Sequence, residues 1–142
     1  MDRTQLQELA LARLVDAEVL LEKARWTGAF YLCGYVIECS LKACLLRHLG
    51  ESAAIFGDKE YLKKLAKCWT HDLEELMILA GLEAAFGKSC GANLTLSDFW
   101  GVTKDWKESS RYEQKSEAEA KQLYEAVSHN PDGVFRWIQS YW

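Results

Sequence analysis

The stretch Ala29–Leu49, with the sequence AFYLCGYVIECSLKACLLRHL, most constrains what this chain can fold into. It is apolar on every helical face and carries only two charges before its final turn, Glu38 and Lys42. A helix without a polar stripe is typical of a central helix that neighbouring helices surround. The uninterrupted apolar part ends at Glu38, which makes it too short for a membrane span. We therefore expect the fold to be built around this helix.

The two charges of this helix define the first candidate site. Glu38 precedes Lys42 by one helical turn, so both lie on one face, which also carries Tyr31 and Tyr35. An unpaired charge in apolar surroundings is strongly unfavourable. We therefore expect both groups to be paired or to bind a ligand.

Length and composition favour a single helical domain over residues 1–142, large enough to bury a core without metal or disulfide support. Aromatic residues make up 12% of the chain and proline occurs once, which excludes disorder and favours helix throughout. The net charge of −4 gives no overall attraction to nucleic acid or to an anionic membrane. An RNA contact would therefore require a local basic patch.

The cysteines indicate a reducing compartment. There are five of them without a CxxC pair, and the N-terminal sequence MDRTQLQEL is charged and amphipathic, unlike a secretory signal. Three cysteines fall inside the central helix, where a free thiol behaves as a small apolar side chain. We predict a cytoplasmic protein without membrane association.

Capping signals predict where the first helices begin and end. A capping box of Thr4 and Gln7 opens a helix over residues 4–25. The central helix follows over about 28–50. The signals at its ends are Thr27 as N-cap, Trp26 with Tyr31 as a hydrophobic staple, and Gly50 as the stop.

The second half of the chain contains signals for shorter helices. The polar stretch 51–68 is predicted as a solvated short helix, and Gly87–Asn93 as a loop. Two further predicted helices are 71–86, capped by Thr70, and a short aromatic helix from Ser97 through Trp106. The Ser116–Glu119 capping box opens another helix that ends at about His129. Asn130–Pro131 opens the last helix, which presents Phe135, Ile138 and Trp142 on one face. The sequence thus predicts an all-α, antiparallel up-and-down bundle of four main helices with short additional helices.

Three motifs resemble the HEPN domain, a small all-α family named for its association with nucleotides in prokaryotes and higher eukaryotes. They are GYVIECSLKACLL at Gly34–Leu46, THDLEEL at Thr70–Leu76 and WKESSRY at Trp106–Tyr112. Their order and spacing are similar to the family pattern over roughly residues 5–130. The resemblance implies a HEPN-like bundle, frequent homodimerisation, and a role in defence or toxin–antitoxin systems beside a nucleotidyltransferase-like partner.

The resemblance does not extend to the family's ribonuclease motif. Catalytic members are metal-independent ribonucleases with an Arg-x(4–6)-His motif, in which histidine is the acid or base and arginine stabilises phosphate charge. After Arg111 the corresponding positions are Ser116, Glu117 and Ala118, and no other arginine has a histidine at this spacing. The prediction leans towards a non-enzyme without a cofactor, and no catalytic residue is assigned.

Two interpretations are open for the polar residues of these motifs. The candidate cluster consists of Glu38, Lys42, His71, Asp72, Arg111, Tyr112 and Tyr35. In the first interpretation it is a pocket in which Lys42 and Arg111 hold phosphate while tyrosines contact a base. In the second it is an internal salt-bridge network in which Arg111 pairs with Glu38 and fixes the helix register.

Three further patterns have competing explanations. Cys44, His48, Cys68 and His71 are a minor candidate for a zinc site. The lysines between Lys59 and Lys67 alternate with Asp58 and Glu60, which favours a solvated helix over a phosphate-binding patch. The aromatic tail, Phe135–Trp142, either seals the base of the bundle or forms a dimer contact.

Three functions follow from these alternatives. The first is a nucleotide- or RNA-associated binding component. The second is a purely structural or interaction module that forms a homodimer. The third is a metal-independent ribonuclease in which His71 or Tyr112 replaces the missing histidine.

Overall fold

The computed structural model describes residues 1–51 and 59–142, and within these ranges the protein is all-α without a β-strand. The helices are α1 (Arg3–Glu22), α2 (Trp26–Glu51), α3 (Lys59–Leu65), α4 (Leu73–Leu79), α5 (Glu83–Ala92), α6 (Leu94–Thr103), a 3-10 helix (Glu108–Tyr112), α7 (Glu117–Ser128) and α8 (Val134–Gln139). The all-α prediction is confirmed.

The first two helices form a hairpin whose ends differ from the predicted ones. Asp2, not Thr4, is the N-cap of α1: its side chain accepts from Gln5 N, and Gln5 bonds back to the Asp2 backbone. Ala24 ends α1 in the left-handed region at φ 56°, while Arg25 N donates to Leu20 O at 2.8 Å. Because this turn is so tight, α2 already begins at Trp26.

Thr27 therefore lies inside the first turn of α2 and is not its cap. Its hydroxyl oxygen instead accepts a hydrogen bond from the backbone of Lys115 at 3.0 Å. This bond ties the start of α2 to the segment that precedes α7. The predicted staple at this end is replaced by a tertiary contact.

Helix α2 is the central element, as predicted. It packs against α1, α4, α7, α8 and the 3-10 helix, and Val36, Ile37 and Leu41 are fully buried. Its length and composition would allow it to cross a membrane, but 67% of its most apolar stretch is buried inside the bundle. The helix continues through Gly50 to Glu51, so the predicted glycine stop is wrong.

The predicted helix 71–86 is divided into α4 and α5. Asp72, not Thr70, is the cap of α4, and its carboxylate accepts from Glu75 N at 3.0 Å. Gly81 adopts φ 71°, a conformation that favours glycine, and Leu82 N then closes the turn on Met77 O at 3.1 Å. The chain leaves this turn directly into α5, so the predicted loop Gly87–Asn93 is helical as far as Ala92.

The caps of the last helices confirm one prediction and correct two. The capping box of Ser116 and Glu119 opens α7 as predicted. Asn93 rather than Ser97 caps α6, because its side chain accepts from Leu96 N. Gly133 precedes α8, so Asn130–Pro131 does not open the last helix.

The aromatic tail packs on the chain's own bundle. Phe135 and Ile138 are fully buried, and Trp142 packs against Phe135 with ring centroids 5.4 Å apart. Trp137 packs against Phe86 at 4.7 Å. The tail therefore seals the base of the bundle, while the predicted dimer contact stays a prediction.

Helix α3 fits the solvated-helix interpretation of the lysine-rich stretch. Lys63 lies 3.0 Å from Glu60, both largely exposed, and Lys67 lies 3.5 Å from Glu75 of α4. Asp58 falls outside the described residues. These lysines are thus neutralised by nearby carboxylates.

Candidate functional site

Five ionisable side chains from three separate segments form one continuous network. We call it the charged network; its members, in order of contact, are Lys42, Glu38, His71, Glu108 and Arg111. Glu38 and Lys42 come from α2, His71 from the segment before α4, and the other two from the 3-10 helix. Each of the three HEPN-like motifs therefore contributes at least one member, although the motifs are far apart in sequence.

The buried end of the charged network is the carboxylate of Glu38, whose side chain is 3% exposed. Lys42 Nζ donates to Glu38 Oε1 at 2.7 Å across one helical turn. His71 Nδ1 lies 3.0 Å from each of the two carboxylate oxygens. The expectation that this charge must be paired is therefore met by two partners.

His71 occupies this position because of the cap that follows it. Asp72 fixes the first turn of α4 through Glu75 N, which directs the preceding residue towards α2. The other ring nitrogen, His71 Nε2, lies 3.3 Å from Glu108 Oε2. Asp72 itself is a helix cap outside the network, with Lys107 Nζ 3.8 Å away.

The exposed end of the charged network is held by the 3-10 helix. Arg111 NH1 lies 3.0 Å from Glu108 Oε1, and its guanidinium carbon lies 4.8 Å from the centroid of the Tyr112 ring. Desolvation lowers the pKa of Arg111, but Glu108 and side-chain hydrogen bonds with Tyr112 and Tyr31 outweigh it, so the pKa lies above its ordinary value. The Tyr112 side of this pair faces solvent, since Tyr112 is 80% exposed.

The 3-10 helix is anchored to α2 by Trp106. This side chain is 1% exposed, and a Cβ added at Gly34 would lie 2.2 Å from its indole ring, so glycine is required for the close approach. Tyr31 packs on the same indole at 5.9 Å and on Tyr35 at 6.1 Å. The anchor sets the distance between the two ends of the network.

The predicted pairing of Arg111 with Glu38 is wrong. Glu108 and His71 stand between them, so the two residues belong to one network without direct contact. Sequence reasoning missed Glu108, although it lies three residues before Arg111 in the WKESSRY motif, a spacing that places two side chains on one face of a helix. The structure thus brings together four of the seven candidate residues and adds one.

The tyrosines divide between the two ends. Tyr35 lies beside the buried end, and its pKa is raised by burial, then by Cys39 and Glu38. The neutral phenol is consequently the form present near neutral pH. Tyr112 lies only at the exposed end.

The residues of the zinc interpretation make other contacts in the structure. Over residues 1–51 and 59–142, no three His, Cys, Asp or Glu side chains are placed to hold a metal ion. His71 contacts carboxylates, and Cys44 donates from Sγ to Ile138 O at 3.9 Å. Burial raises the pKa of the Cys44 thiol to about 12, as it does for Cys33 and Cys39.

Comparison with known proteins gives no match for this chain: no family model, no curated protein and no solved structure is similar to it. The HEPN resemblance accordingly depends on the three sequence motifs alone and stays a prediction.

Proposed function

We propose that the protein is a non-catalytic, HEPN-like helical component that binds single-stranded RNA or nucleotides at the exposed end of the charged network. The observation that carries the proposal is the position of the Arg111 guanidinium over the Tyr112 ring, with the tyrosine 80% exposed. An exposed aromatic ring beside an arginine provides a stacking surface for a base and a donor for phosphate.

The surroundings of this pair supply further positive charge. Lys104 and Lys107 lie on the same connection between α6 and the 3-10 helix, with side chains 41% and 61% exposed. Their carboxylate partners, Glu74 and Asp72, are at 3.6 and 3.8 Å, which is longer than a good ion pair. Each lysine thus has a nearby carboxylate that a ligand phosphate would have to replace, because the net charge of −4 gives no overall attraction to RNA.

The HEPN-like arrangement is the finer part of this proposal. It is supported by the convergence of three motifs on one network around a central helix. On this basis we propose an up-and-down HEPN-like bundle that works as a cytoplasmic homodimer, in a toxin–antitoxin or defence system with a nucleotidyltransferase-like partner. The ribonuclease alternative is not proposed, because both ring nitrogens of His71 lie against carboxylates.

The proposal is tested by titrating a fluorescent single-stranded RNA and, separately, ATP with the wild type and four variants. Tyr112→Ala and Arg111→Ala should each weaken RNA binding by about tenfold, the usual effect of losing one stacking contact. Lys42→Ala should lower the stability, because Glu38 loses a partner, but should leave the RNA affinity of the folded protein unchanged, because Lys42 lies at the buried end.

Arg136→Ala is the matched control, since Arg136 is an exposed arginine of α8 outside the network. Equal losses of affinity in Arg111→Ala and Arg136→Ala would mean that only general positive charge is sensed. The absence of saturable binding by the wild type would reject the proposal.

A second candidate function, an interaction module, is favoured by an exposed apolar stripe on α1. Leu11, Val15 and Val19 recur at a spacing of four residues on one face and are 46%, 59% and 49% exposed. Such a stripe is typical of a helix that packs against another protein. Val15→Glu should then shift the sedimentation coefficient towards the monomer, and an unchanged value would reject this function.

A further inference from the structure

A cavity of about 480 Å³ lies beside the buried end of the charged network. It opens between α1, α2, α3 and the turn that follows α3. Its walls are mostly apolar. The apolar lining residues are Met1, Leu6, Leu9, Cys39, Leu45, Leu46, Leu49, Leu65, Cys68 and Trp69. A volume of this size is typical of a site for a small organic molecule.

The rim of the cavity carries unusually exposed apolar side chains. Trp69 is 85% exposed, Met1 77% and Leu46 36%, and all three line the opening. Large apolar side chains that gather around a concave site indicate a binding surface, whereas isolated ones do not. The rim therefore offers apolar area that a bound molecule would cover.

The polar groups in the wall determine what chemistry fits. Lys42 is one of them, and an ammonium has three N–H donors, of which one bonds to Glu38 Oε1. Tyr35 is the second and is a neutral O–H donor. Glu38 is the third, but its oxygens already accept from Lys42 and contact His71. Lys42 and Tyr35 thus leave the wall with hydrogen-bond donors that an acceptor oxygen of a ligand can use.

The charges of the wall disfavour a charged ligand. Glu38 and Lys42 neutralise each other at 2.7 Å, so an anion would meet the nearby carboxylate and a cation would meet the ammonium. Bringing a further charge into apolar surroundings is unfavourable without a partner of its own. An uncharged hydrogen-bond acceptor has neither disadvantage.

We infer that this cavity binds an uncharged, mostly apolar molecule whose carbonyl-type oxygen accepts a hydrogen bond from Lys42 or Tyr35. The apolar body lies against the leucines of α1 and α2, and Trp69 covers it at the rim. This site is separate from the RNA surface proposed above, which uses the other end of the charged network. Its function is therefore independent of that proposal.

The inference is tested with prodan, an uncharged naphthalene probe that bears a ketone and whose emission reports on its surroundings. The wild type should bind it saturably at one site with a shift of emission to shorter wavelength. Leu9→Trp, which narrows the cavity from α1, should weaken saturable binding strongly. Leu11→Trp is the matched control, because Leu11 is an exposed residue of the same helix outside the cavity.

The acceptor is tested separately with 2-dimethylaminonaphthalene, which lacks the ketone. Lys42→Met should weaken prodan binding by about tenfold, the effect of losing one hydrogen bond to a charged donor, and should leave the ketone-free probe unaffected. Tyr35→Phe provides the same comparison in a variant that keeps the ion pair intact. Circular dichroism and thermal unfolding establish that each variant is folded.

Three outcomes would overturn the inference. The first is the absence of saturable prodan binding by the folded wild type. The second is equal loss of binding in Leu9→Trp and Leu11→Trp, which would mean surface adsorption. The third is wild-type affinity for both probes in both single variants, Lys42→Met and Tyr35→Phe. That result would reject the proposed hydrogen bond to the ligand's oxygen. Should Leu9→Trp not fold, Leu65→Trp narrows the same cavity from α3 and replaces it.

Discussion

The two ends of the charged network contain the same kinds of groups in opposite environments. At the buried end, the Glu38 side chain is 3% exposed and is held by Lys42 and His71. At the exposed end, Glu108 is 30% exposed and Arg111 44%. Since water screens an exposed ion pair and scarcely reaches a buried one, similar distances have different energetic consequences at the two ends.

This difference suits the two ends of the network to different roles. The buried carboxylate cannot lose a partner without leaving a charge in apolar surroundings, so that end fixes how α2 meets the start of α4. The exposed arginine can exchange Glu108 for another anion at small cost, because solvent compensates either state. The proposed phosphate contact therefore uses the exposed end.

The largest effect is expected from Glu38→Gln, which removes the buried charge and keeps the side-chain shape. Lys42 and His71 lose their carboxylate, so the free energy of unfolding should fall by about 3 kcal/mol, measured by urea denaturation. Glu117→Gln is the matched control: Glu117 pairs with Lys121 at the same spacing, but its side chain is 56% exposed. It should cost about 0.4 kcal/mol. Equal costs would mean that burial does not distinguish the two pairs.

The next effect is expected from Gly34→Ala, which disturbs the anchor between the two ends. The added Cβ would lie 2.2 Å from the Trp106 indole, so the 3-10 helix must move away from α2. We expect a loss of about 2 kcal/mol, because the overpacking outweighs the gain in helix propensity.

Gly101→Ala is the control for this substitution. Gly101 lies in α6, and a Cβ there meets nothing within 4 Å. The same change should then stabilise the protein by about 0.5–1 kcal/mol. A stable Gly34→Ala variant would mean that the Trp106 contact is not required.

The two ends also differ in how well the sequence predicts them. The Glu38–Lys42 pair could be predicted because both residues lie on one helix, where spacing determines proximity. The central position of α2 was predictable for a related reason, the absence of a polar stripe. His71 and Glu108 meet only through tertiary packing of α2 with α4 and the 3-10 helix, which no local pattern encodes.

Errors in the helix boundaries have a similar origin. The helix breaks at Gly81 because this residue adopts a left-handed backbone conformation. The sequence shows that a glycine is present, but not that it adopts this conformation. In the sequence, Gly87 and Gly91 favour a loop, but both residues lie within α5. Two neighbouring residues of this helix, Phe86 and Cys90, pack on the core, and this tertiary packing outweighs the low helix propensity of glycine.

A smaller effect is expected from Glu108→Gln, the residue that joins the two ends. It contacts both His71 and Arg111 but is partly exposed, so we expect a loss of about 1 kcal/mol in urea denaturation. Glu113→Gln serves as its control, because Glu113 is 53% exposed and forms an ion pair with Lys115. A loss as large as that of Glu38→Gln would place Glu108 in the buried part of the network.

The smallest effect on stability is expected from Arg111→Gln, which removes the charge at the exposed end. The cost should be small at low salt and should disappear in 1 M NaCl, where the Debye length is about 3 Å. The cost of Glu38→Gln should persist in the same salt, because its partners are largely shielded from ions. If Arg111→Gln instead remained costly at high salt, the guanidinium would be part of the core. It would then be poorly placed to exchange Glu108 for a phosphate, and the proposed RNA surface would lose its donor.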